Sequence, residues 1–144
     1  MEGFGMSKIT KIKFLKDIKY LLAETTSFQT DFRPENDIHW RWITLSTTGL
    51  LTIREGYGWD GPSGPVVDRS TNMRASLCHD ALYQLMRQGM LPHSDWRKAD
   101  KEYAKLLKED GAWALTIWID MQGLSLAGGT AAKPKNARRC YSAP

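Results

Sequence analysis

Three observations predict an α+β fold. Apolar and polar residues alternate across Ile38–Glu55, two stretches further on repeat their apolar residues at helical spacing, and the strand-like segments precede the helical ones. The expected architecture is a small antiparallel sheet or hairpin in the N-terminal half, followed by three packed α-helices. A chain of 144 residues suits one domain with one hydrophobic core. That domain is expected over 1–129, with 130–144 as a basic, flexible tail.

The first stretch, Lys11–Leu22, fits two patterns. Ile9, Ile12, Leu15, Ile18 and Leu22 recur at roughly helical spacing, whereas Ile12 and Phe14 alternate with lysines as in a strand. Leu21–Thr30 is rich in threonine and apolar residues and reads as extended. Pro34, Asn36 and Asp37 mark a turn. In the hairpin, Trp40, Trp42, Thr44 and Ser46 alternate with Arg41, Ile43 and Leu45. Thr47-Thr48-Gly49 then breaks the run, and Leu50–Arg54 returns. Gly56 to Pro65 holds four glycines and two prolines, so it is a loop whose backbone can turn toward a bound group.

Helical patterning follows. Ser70 or Thr71 is placed to cap a helix reaching about Gln88, with Gly89 to stop it. Ser94 can cap a second, from Asp95 to about Glu109, ending near Gly111. Ala112–Gln122 is expected to form a third, mostly apolar helix.

The formal net charge is +4, from 20 Lys+Arg against 16 Asp+Glu. The excess gathers near the ends, at Lys8, Lys11, Lys13, Lys16 and Lys19 and at Lys133, Lys135, Arg138 and Arg139. Solvated flanks explain this better than a nucleic-acid partner, for which no reading helix or stacking platform is visible. The two cysteines, Cys78 and Cys140, are too few for a disulfide framework and are not spaced as a metal-binding pair. Met1–Leu15 lacks the apolar stretch of a signal peptide, and the longest apolar run, Ala112–Ile119, is too short to span a bilayer.

The chemistry is expected where polar residues fall on apolar faces. In the second helix Trp96, Tyr103 and Leu107 form an apolar stripe, and Asp100 lies inside it. A carboxylate so placed requires a partner. The first helix offers one, because Ala75, Cys78, Leu82 and Met86 form a stripe that includes His79, with Tyr83 a turn further on. A histidine facing a buried aspartate has its tautomer fixed and can act as a general base. Asp80 points about a quarter-turn away, and the glycine-rich loop carries Asp60. Two acids with loop carbonyls are the hard-oxygen ligands that Ca²⁺ prefers.

Each of these features also has a plainer reading. An inward histidine is more often a satisfied core residue than a catalyst, and Asp-Gly is common in turns. Tyr57 and Trp59, beside Asp60, either line an apolar binding mouth or anchor the loop. Ser63 lacks a Gly-x-Ser-x-Gly elbow and is taken as a substrate-loop residue rather than a nucleophile.

At these residues two resemblances arise. From the strand region through Gly128 the chain resembles a domain-of-unknown-function family of tailed phages and prophages, through GYGWDGPSGP, LCHDALY, WRKADKEYAKLL and GAWALTIWIDMQG. This implies a phage or prophage source and no settled activity. Over about Trp59 to Leu107 it is similar at motif level to microbial phospholipase A2, with a glycine-rich loop bearing Asp60, a helical His79-Asp80-x-x-Tyr83, and Asp100 on a later helix. That resemblance implies that His79 activates a water, Asp100 orients His79, and Asp80 with the Asp60 loop holds Ca²⁺, which polarises an ester carbonyl. The chain departs from those secreted, disulfide-linked and mostly helical enzymes in its cysteines and in its β-hairpin.

The expected function is thus a phage-associated, metal-assisted hydrolase acting on an ester, with membrane lipid or another cell-envelope compound as substrate. Its place would be the host cytoplasm or the virion. The rival is a non-catalytic phage protein that binds a virion or host protein and retains the site as a structural feature.

Overall fold

The computed structural model describes residues 12–14, 18–62, 69–133 and 141–143. Its elements are β1 (Ile12–Phe14), β2 (Tyr20–Leu21), β3 (Thr26–Gln29), β4 (Ile38–Trp40), β5 (Ile43–Leu45), β6 (Leu50–Ile53), β7 (Gly58–Trp59), α1 (Met73–Arg87), α2 (Trp96–Glu109), α3 (Ala114–Ala131) and β8 (Tyr141–Ala143). Strands dominate the first half and helices follow, an α+β arrangement.

The main sheet has four antiparallel strands in the order β3-β6-β5-β4. Its buried face follows from alternation. Ile43 pairs with Ile53 and Leu45 with Leu51, Phe28 also faces Leu51, and all five side chains are buried. The β5–β6 connection turns at Gly49, whose φ is +88°. A Cβ there would come within 2.4 Å of the Thr30 carbonyl oxygen. Only glycine suits both the dihedral and the close approach.

The expected hairpin is a three-strand meander. The alternating run Trp40–Ser46 is cut by a two-residue turn at Arg41-Trp42, with Trp40 paired to Ile43. Turn-forming residues are absent there, so the sequence pattern conceals the break. The turn is fixed from outside, by the Arg54 amide donating to the Trp42 carbonyl at 2.9 Å. Two small antiparallel pairs, β2-β7 and β1-β8, complete the strand set. The second of these gives Tyr141–Ala143, in the stretch expected to be a loose tail, a backbone partner in Ile12–Phe14.

Helix α1 is the central helix, with 11 of its 15 residues buried. It starts after Asn72 rather than at a Ser70 or Thr71 cap, and ends where Gly89 adopts φ +74° and donates to the Met86 carbonyl. A short 3-10 turn, His93–Asp95, leads into α2. Ala99, Tyr103, Leu106 and Leu107 from α2 join Leu82, Leu85 and Met86 from α1 in the core. Helix α3 runs well past the expected end at Gln122, through Gly123, Gly128 and Gly129. A glycine inside a helix costs about 1 kcal/mol, and burial of Leu124 helps to offset it. No helix among the described residues is long and apolar enough to cross a membrane.

Candidate functional site

His79 and Asp100 meet between α1 and α2. The Nε2 of His79 lies 2.6 Å from Oδ1 of Asp100, and the Tyr83 hydroxyl donates to the same oxygen at 2.8 Å. Tyr83 is four residues after His79 on α1, so both reach α2 from the same face. Asp100 accepts both bonds as a carboxylate. A carboxylate oxygen only accepts, so Nε2 of His79 presents a proton to it, and in the neutral ring the lone pair is then on Nδ1. Among the described residues no hydrogen bond engages Nδ1.

The pair is deeply placed, with His79 only 2% exposed. Its imidazole lies between two phenols, 4.0 Å from the Tyr83 ring centre and 5.7 Å from Tyr103, which meets it edge-on. Burial and the Asp100 carboxylate push the Tyr83 hydroxyl well above the usual phenol range, so it remains a donor. Cys78, directly before His79, is buried, and burial likewise raises its thiol. That makes it an inert neighbour rather than a nucleophile.

A second buried acid adjoins the pair. Asp120 of α3 accepts the Tyr103 hydroxyl at 2.9 Å and the Arg69 guanidinium at 2.5 Å, with the Asn72 amide at 3.4 Å. Burial and Asp120 raise the Tyr103 hydroxyl as well. One aromatic ring therefore separates two buried carboxylates, and each is matched to donors.

Asp80 and Asp60 stand in different surroundings. The Tyr57 hydroxyl donates to Oδ2 of Asp80, and Arg87 lies 3.7 Å from Oδ1. Asp60 is exposed and accepts the backbone amide of Lys19 at 3.0 Å. Tyr57 and Trp59 are buried and tie the loop to α1, Trp59 through its indole N–H to Ser76 at 3.1 Å. Ser63 lies outside the described residues.

These donors fit a calcium ion poorly. One Asp80 oxygen is held by a phenol, and the other faces a guanidinium whose charge repels a cation. Among the described residues no group of three or more His, Cys, Asp or Glu side chains is placed to hold a metal.

Asp120, Arg69, Asn72 and Tyr103 escaped the sequence reading as site residues. Asp120 carries the same signal as Asp100, because it is the one charged residue between Gly111 and Ala132. Arg69 stands 51 residues away from it, and nothing in the sequence links the two.

Compared with family models, curated proteins and solved structures, the chain matches none.

Proposed function

We propose that this protein is a small hydrolase in which His79, oriented by Asp100 and Tyr83, takes a proton from the water that attacks an ester. The observation that carries this reading is the pair of donors on one Asp100 oxygen, which leaves Nδ1 of His79 as the basic atom. Proton transfer at Nδ1 creates an imidazolium, and the adjacent carboxylate stabilises that charge. Tyr83 holds the carboxylate in position. The proposed substrate is a phospholipid or another cell-envelope ester. A phage or prophage origin, with action in the host cytoplasm or in the virion, belongs to the same reading through the motifs around GYGWDGPSGP and LCHDALY.

The test is hydrolysis of mixed phospholipid vesicles and of a soluble short-chain ester, each with calcium and with a chelator. Wild type should turn over at least one of them, and His79→Gln should lose about 10²–10⁴-fold, the range of general-base catalysis. No turnover by wild type, or equal turnover by the variant, would remove the reading for those substrates. Turnover that needs calcium would contradict a step carried by His79 without a metal.

One observation favours a second reading. The burial of His79 and Asp100 against two tyrosines is also what a structural polar pair needs. A non-catalytic phage protein would then keep the pair for stability and bind a virion or host protein elsewhere. On that reading His79→Gln loses stability and there is no turnover to lose.

A further inference from the structure

Helix α3 is apolar on two opposite faces. Ile117, Asp120, Met121 and Leu124 turn toward the rest of the fold. On the other side Leu115, Trp118, Ile119 and Leu126 point outward, with Trp113 just ahead of the helix, and these five are between 52% and 82% exposed. Leu115, Ile119, Gln122 and Leu126 follow one another at steps of four, three and four residues, the spacing of a seam between packed helices. A helix that is apolar all round is normally covered on all sides.

We infer that this outer face of α3 is the interface of a homodimer. Leu115, Trp118, Ile119 and Leu126 together expose on the order of 500 Å², toward the upper end of the roughly 300–600 Å² of the largest patch on a typical monomer and more than half of the ~800 Å² that each partner contributes to a stable interface. The face carries no charge, because Asp120, the one ionisable residue between 111 and 132, is buried on the inner side. Two identical copies therefore bring no like charges together, and Trp118, near the middle of the stripe, supplies the aromatic anchor such interfaces favour. A two-fold axis places the same stripe on both sides, which suits a self-matching apolar surface. A lipid surface fits less well. Glu109 and Asp110 precede the helix, and no Lys or Arg between 109 and 132 would meet an anionic headgroup.

Sedimentation velocity of the full chain over low- to high-micromolar concentrations tests this. Wild type should sediment at twice the chain mass at the upper end, and Ile119→Glu at the chain mass throughout, with an unchanged far-ultraviolet circular dichroism spectrum. Leu21→Glu, an exposed apolar residue elsewhere, should remain dimeric. Should Ile119→Glu misfold, Gln122→Cys in a Cys140→Ser background decides, since mild oxidation should yield a covalent dimer. A monomeric wild type, a dimer undisturbed in a folded Ile119→Glu, no cross-link through residue 122, or binding to anionic vesicles in place of self-association would overturn the inference.

Discussion

Asp100 and Asp60 were expected to serve one site, yet they sit in opposite environments. Asp100 is enclosed between two helices, with an imidazole and a phenol on a single oxygen. Asp60 stands in solvent with a backbone amide. The contrast shows which acids a fold can position. A carboxylate between packed helices is held by their geometry, because leaving it unpaired there is costly. A carboxylate on an exposed turn has water available as an alternative partner, so its removal costs the fold less.

Substitutions can break this contrast, and the largest effect is expected inside the helices. Asp100→Ala removes the acceptor shared by His79 and Tyr83, and should lower the unfolding free energy by about 3–5 kcal/mol, as breaking buried pairs does. Urea denaturation with unchanged slope would measure it. Tyr103→Phe removes one donor from Asp120 while keeping the ring against His79, at an expected cost of about 1–3 kcal/mol. At the other end of the scale, Asp60→Ala should stay within about 0.5 kcal/mol of wild type, as for an exposed site. A loss as large as that of Asp100→Ala would show that the two acids are not so different after all.

Alkaline titration sharpens the same comparison. Tyr83 and Tyr103 have phenols raised above their unfolded value of about 10, through burial and the adjacent carboxylates. A group whose pKa is raised on folding keeps its stabilising effect below the unfolded pKa and loses it as pH climbs beyond. Stability should therefore be level through neutral pH and fall above about pH 10. Tyr83→Phe should flatten part of that decline.

How much was legible follows the same division. The apolar stripes of α1 and α2 gave away His79 and Asp100, because helical periodicity states which side of a helix is buried. The α+β class was readable from alternation giving way to helical spacing. The turn at Arg41-Trp42 was not, since its residues have no turn preference and a long-range bond from Arg54 holds it. Asp80 looked like a free ligand because its partners, Tyr57 and Arg87, are set by a loop docking on α1 and by a side-chain rotamer. Neither is encoded in local spacing. Asp120 was legible in principle, as an acid inside an apolar helix, but its partners were not.

The most direct measurement of the central claim is the ring-nitrogen NMR spectrum of His79 at neutral pH in wild type and in Asp100→Asn. The wild-type spectrum should show a proton on Nε2 and a bare Nδ1, and the Asn variant should lose that single-tautomer signature. A wild-type ring protonated on Nδ1 alone, or one that exchanges freely between tautomers, would contradict the assignment of His79 as a base oriented by Asp100.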